Sequence, residues 1–139
     1  MSEVLNATKN ILVVDDNSIH RGLVEHELKD RYALTLAADH DTAASRVAAR
    51  GADPFHLVIL DSSIPRSEGG EPQREESLSF LADFRRVSES PVILVVSGPV
   101  SDRMRANYSR LGVVAVFEKP FSLVELGECV GKLLRQPPG

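Results

Sequence analysis

Residues 10–16, NILVVDD, run four apolar side chains straight into two carboxylates. An unbroken apolar run of this kind suits a strand covered on both faces, as in a parallel sheet, and its charged end marks where the strand leaves the core. Asn17 or Ser18 can cap the segment that follows, where Ile19, Leu23, Val24 and Leu28 recur at helical spacing as far as Asp30. The same unit of strand, short turn and helix returns downstream. YALTLA (32–37) reads as a second strand, DTAASRVAAR (41–50) as an Ala-rich helix stopped by Gly51, and FHLVILD (55–61) as a third strand.

After Asp61 comes SSIPRSEGGEPQREES (62–77), with two Pro, two Gly and four Ser, too polar and broken for a regular element. It is expected to form an extended surface loop. Helical spacing resumes with Leu78, Phe80, Leu81 and Phe84, and PVILVVS (91–97) is a fourth apolar strand. A fourth helix over VSDRMRANYSRLG ends at Gly112, and VVAVFEK (113–119) makes a fifth strand. Ser122 and Glu125 then have the spacing of a capping box for a last helix bearing Leu123, Val124, Leu126, Val130, Leu133 and Leu134. Five apolar strands alternating with five helices predict an α/β fold, a doubly wound five-stranded parallel sheet. Residues 10–135 form the domain, flanked by tails at 1–9 and 136–139.

Composition sets the outer bounds. A chain of 139 residues is one domain as a first expectation, and at this size it buries roughly 68–70% of the surface its unfolded form exposes, so a core needs no staples. The net charge of −4, the absence of Trp and the small aromatic content argue against direct nucleic-acid binding. The single Cys129 excludes an intramolecular disulfide and a Cys-based zinc site, and fits a reducing compartment. No apolar run is long enough to span a membrane, and residues 1–10 lack a signal-peptide pattern, so a cytoplasmic protein is expected.

In doubly wound sheets ligands bind at the carboxyl ends of the strands, where the strand order reverses. Those ends carry Asp15 and Asp16, Asp61, Ser97 and Lys119. A lone Asp after a strand is ordinarily a cap or turn residue, but three carboxylates on one rim repel and need a cation. Mg²⁺ suits such a rim, binding through one or two carboxylates and taking the rest of its shell from water and phosphate oxygens. Asp15 and Asp16 could hold it while Asp61 attacks phosphorus, with Lys119 neutralising charge on the transferring group and Ser97 donating a hydrogen bond.

The motifs LVVDDN (12–17), LVILDSSIP (57–65), PVILVVSG (91–98) and FEKPF (117–121), in this order, resemble the response-regulator receiver domains of two-component signalling. The resemblance covers residues 9 to 135 and implies a sheet of order 2-1-3-4-5. It implies that Asp61 is the phosphoacceptor, Asp16 the direct Mg²⁺ ligand, Asp15 its neighbour acting through water, and Ser63 the residue whose backbone carbonyl completes the metal site. Ser97 would supply the hydroxyl and Lys119 the phosphate-binding ammonium, followed by Pro120 in a cis peptide. The phosphoryl donor would be a sensor histidine kinase or a histidine phosphotransfer protein. Output would pass to a protein partner, and the fourth helix, fifth strand and fifth helix offer a face for a homodimer. On this reading the chain is a signalling switch that catalyses only its own phosphorylation and dephosphorylation.

Two departures stand out. The interval from Asp61 to Ser97 is about six residues longer than the family pattern, an insertion that loop entropy makes cheap and that could form a lid or partner contact. The family places an aromatic residue three positions before the lysine, where this chain has Val116, and Phe117 should face the opposite side of the sheet. A modified switch region of Ser97, Val116 and Phe117 is therefore expected. His20, His26, His40 and His56 lack metal spacing and read as surface or boundary residues, although His20, early in the first helix, could approach the acidic pocket; the arginines of the fourth helix, Arg103, Arg105 and Arg110, read as a solvated basic face, with an acidic partner site as the alternative. Two other functions compete: a phosphorylation-independent pseudo-receiver acting as a docking module, and an unrelated nucleotide or flavin binder. The latter would need a glycine-rich turn where this chain has DDNS.

Overall fold

The computed structural model describes residues 9–51, 55–87 and 91–135. Of the tails expected at 1–9 and 136–139, residues 1–8 and 136–139 lie outside these residues. Five strands, β1 (Asn10–Val14), β2 (Ala33–Ala37), β3 (Leu57–Asp61), β4 (Val92–Ser97) and β5 (Val113–Glu118), alternate with α1 (Ser18–Leu28), α2 (His40–Arg50), α3 (Arg74–Val87), α4 (Asp102–Arg110) and α5 (Leu123–Arg135). The strands are all parallel in the order β2-β1-β3-β4-β5.

Alternation along each strand divides the core in two. Leu12, Val14, Val58, Leu60, Ile93 and Val95 face one way and pack with Phe80, Leu81 and Phe84 of α3 and Tyr108 of α4. Ile11, Val13, Leu57, Ile59, Leu94 and Val96 face the other way, against Val24 and Leu28 of α1 and Leu126 and Val130 of α5. Each such side chain contributes about 1.5–3 kcal/mol through its removal from water, which explains why the three central strands read as continuous apolar runs. The register of β5 follows the same rule: Val116 packs on the α3 and α4 side and Phe117 on the α1 and α5 side.

Caps set the helix starts. Asn17 accepts the His20 N–H, Asp39 the Thr42 N–H, Ser101 the Met104 N–H and Ser122 the Glu125 N–H. At the other end of α4, Gly112 takes φ of +86°, and Arg85 closes the turn by donating to the carbonyls of Leu111 and Gly112 at 3.1 and 3.2 Å.

Two expectations need correction. Ile19 and Leu23 share the apolar spacing of α1 but are 76% and 48% exposed, because the residues that α1 buries against the sheet are Val24 and Leu28. The polar stretch 62–77 is also not all loop, since α3 begins at Arg74. Its first-turn Glu75 and Glu76 suit the positive end of a helix dipole, and charge alone had hidden the helix start. The remainder is pinned down. Ile64 and Gln73 form an antiparallel bridge, the amides of His40 and Asp41 donate to the carbonyls of Pro65 and Arg66, and Ile64 is fully buried.

Candidate functional site

The helices that follow β1 and β3 depart to opposite faces of the sheet, which opens a crevice where these neighbouring strands end. Asp61, the last residue of β3, is 7% exposed there. One carboxylate oxygen accepts the Ser63 N–H at 2.9 Å, and the other accepts the Lys119 ammonium at 2.7 Å. Burial pushes the Asp61 carboxyl above its ordinary pKa, and the charge of Asp15 adds to that push. The hydrogen bonds from Lys119 and the Ser63 amide oppose it. Lys119 reaches this position from the turn after β5, where its amide donates to the Ser97 carbonyl at 2.6 Å and the Lys119–Pro120 peptide is cis.

Asp16, Asp61, Ser63 and Lys119 line one open pocket of about 610 Å³ together with Asn17, Ser18, Ile19 and Pro72. Asp15 lies behind them, 4% exposed, with one oxygen on the Asn17 N–H at 2.9 Å and the other paired with His20 Nδ1. Ser97 is buried at the end of β4, next to the strand that carries Asp61, but is not part of the open lining. Val116 and Phe117 lie away from the pocket, within the two core clusters.

Three contributors, His40, Ser77 and Tyr108, escape a reading of the sequence, and a fourth, His20, takes the less favoured of its two expected places. His20 points at Asp15 instead of solvent, a placement its position in the first turn of α1 allows. His40 is buried and bridges α2 to α3, with Nδ1 2.8 Å from Glu76 and its ring edge-on to Phe80. Ser77 is fully buried and donates to the backbone carbonyl of Asp61 at 2.6 Å, so α3 braces the acceptor strand from below. Tyr108, the buried residue of the polar α4 sequence, lies beside Ser62 and within the field of Asp61.

A buried carboxylate held ionised by an ammonium and an amide N–H is a competent nucleophile, and the crowded acids are chemically suited to a hard divalent ion. Asp15, His20 and Asp61 each offer a ligand atom within 4.8 Å of the others, while Asp16 and Ser63 stand on the open side.

The chain matches the family described as response regulator receiver domain over residues 11–130. The chemotaxis protein CheY-3 of Vibrio cholerae is 26% identical over 140 residues, covering 98% of this chain and 99% of that protein. A response regulator from Thermotoga maritima superimposes with a TM-score of 0.74 at 27% identity, over 94% of this chain and all of that one. A CheY-like receiver protein from Methanospirillum hungatei has the same fold, with a TM-score of 0.76 at 21% identity over 94% of this chain and 97% of that one. On the matched span and the shared architecture, this chain belongs to the response-regulator receiver family.

Proposed function

We propose that the chain accepts a phosphoryl group on Asp61 from a phosphohistidine, supplied by a sensor histidine kinase or a histidine phosphotransfer protein. The observation that carries this reading is the contact between the buried Asp61 carboxylate and the Lys119 ammonium at 2.7 Å, on the floor of a pocket shared with Asp16 and Ser63.

Lys119 and the Ser63 amide keep Asp61 ionised against its burial, and so keep it nucleophilic. An Asp61 oxygen forms the new bond to phosphorus as the nitrogen–phosphorus bond of the donor breaks, with the electron pair leaving on the imidazole nitrogen. On this reading Lys119 moves its charge from the carboxylate to the phosphoryl oxygens, and the Ser97 hydroxyl, buried behind the open lining, would turn to donate to one of them. Asp16, Asp61 and the Ser63 carbonyl would hold Mg²⁺, with Asp15 acting through water. When bound, the ion offsets the negative charge that gathers on the phosphoryl oxygens. Phosphorylation replaces one carboxylate charge by a group of about −1.5 to −2. That change shifts the population of conformers, and output leaves through protein contacts, for which the face of α4, β5 and α5 is the natural surface and also the one for a homodimer. No helix of the described residues is long and apolar enough to cross a membrane, and we place the switch in the cytoplasm.

Intact-mass analysis after incubation with a small phosphodonor and Mg²⁺ tests the reading. Wild type should gain one phosphoryl group, while Asp61→Asn and a chelator-treated sample should gain none. No gain in wild type despite Mg²⁺ binding would reject the acceptor role and leave a docking module.

A further inference from the structure

The pocket contains a nitrogen donor as well as carboxylates. His20 occupies the first turn of α1, and its Nδ1 meets the inner oxygen of Asp15. Its ring is held edge-on by Phe121, with centroids 5.6 Å apart at 88°, and Phe121 in turn meets Phe117 at 5.5 Å. A contact of this geometry favours the observed ring plane, and in it Nδ1 faces the carboxylate of Asp15. The ligand atoms of Asp15, His20 and Asp61 lie within 4.8 Å of one another, a spread that a single ion can bridge with small side-chain movements. They come from three separate places, the end of β1, the start of α1 and the end of β3, so the grouping is made by the fold and not by a local run of acids.

We infer that His20 is a direct metal ligand, and that with Asp15 and Asp61 it makes this pocket favour late first-row divalent ions such as Co²⁺ over Mg²⁺. The inference rests on the reading of the pocket as a cation site and assigns a ligand and an ion preference to it. Oxygen donors with water suit Mg²⁺, which demands a near-octahedral shell and gains little from imidazole. Imidazole suits the later transition ions, whose affinities for mixed nitrogen and oxygen sites rise along the series from Mn²⁺ to Cu²⁺. One nitrogen ligand therefore separates the two classes of ion, whereas removing it should matter little to Mg²⁺.

The test titrates the whole chain with Co²⁺ and with Mg²⁺ by calorimetry, then displaces Co²⁺ with Mg²⁺ to isolate the shared site. His20→Gln is compared with wild type and with His26→Gln, an exposed histidine of the same helix. The expected result is a loss of Co²⁺ affinity of about tenfold or more in His20→Gln, with Mg²⁺ affinity within about threefold of wild type and His26→Gln unchanged for both ions. In the Co²⁺-loaded wild type a hyperfine-shifted imidazole resonance should appear in the proton spectrum, and it should vanish in His20→Gln.

Equal weakening of both ions would show that His20 acts only by positioning Asp15, and unchanged Co²⁺ affinity would remove it from the site altogether. Either result overturns the inference while leaving the Mg²⁺ pocket intact. Absence of the shifted resonance in a Co²⁺-loaded wild type overturns it without any variant. Failure of wild type to bind either ion would overturn the cation-site reading and the inference with it.

Discussion

Tyr108→Phe should stabilise the protein. Tyr108 is 1% exposed and packs among the side chains between the sheet, α3 and α4, yet its hydroxyl is the one buried side-chain polar atom among the described residues that lacks a hydrogen-bond partner. Ser62 stands close enough to act on it but does not meet the geometry of a hydrogen bond, and burial pushes its pKa above the ordinary tyrosine value against the opposing effect of Arg74 and Ser62. Leaving a hydroxyl unpaired in the interior costs about 1–3 kcal/mol. Phenylalanine keeps the ring, its contacts and its volume and deletes only that oxygen, so the gain should be on the order of 1 kcal/mol. For a chain of this length, about 1 kcal/mol corresponds to a rise in Tm of roughly 3–4 °C. Tyr108→Ala, which also removes the ring, should lose about 3–5 kcal/mol. With no Trp in the sequence, far-UV circular dichroism is the suitable probe, and urea melts should show a higher midpoint at unchanged slope. A loss of about 1 kcal/mol or more in Tyr108→Phe would refute the reasoning, since it would mean the hydroxyl is bonded in solution, to Ser62 or to a trapped water.

Two further substitutions bear on the pocket. Asp61→Asn should raise stability at neutral pH, because the native carboxyl titrates above its unfolded value of 3.8. Wild type therefore loses stability as pH rises from the unfolded value through the native one, and the variant does not. The difference in Tm between the two proteins should shrink toward acid pH, and a variant less stable than wild type at neutral pH would contradict this. Ser77→Ala should cost about 1–2 kcal/mol, since it removes a fully buried donor from the Asp61 carbonyl, and hydrogen exchange should quicken in residues 62–73. Urea melts indistinguishable from wild type would show that α3 does not brace the acceptor strand.

Much of the fold was legible because its signals are local. Apolar runs such as NILVV and LVILD state burial on both faces, and Asn17 and Ser122 state helix starts. The elements that deceived are those where tertiary packing selects among equivalent local patterns. Ile19 and Leu23 have the spacing of a buried helix face, and only the placement of α1 relative to the sheet leaves them outside. REES at 74–77 reads as loop by composition, and only the burial of Ser77 beneath Asp61 shows why a helix must already have begun. In the candidate site the same division holds. Asp61, Asp16 and Lys119 could be named because each ends or follows an apolar strand, and Ser63 only through the family resemblance, whereas for His20 the surface reading is the preferred one, because the direction of one imidazole depends on Phe121, a hundred residues away.

Val116 shows how a departure visible in sequence can be half of a pair. A valine on β5 leaves less side-chain volume on the α3 and α4 side of the sheet than an aromatic residue would. Tyr108 enters that same cluster from α4, bringing a ring and a hydroxyl close to Ser62 and Asp61. Cores tolerate such exchanges when volume is conserved across facing positions. The ring on this side of the sheet belongs to a helix and not to a strand. Tyr108→Phe keeps the packing and removes the polar handle, and Val116→Tyr would crowd the ring already present. The first should therefore be benign and the second destabilising by about 1–3 kcal/mol. A well-tolerated Val116→Tyr would show that space on that side of β5 is open after all, and that Tyr108 does not fill it.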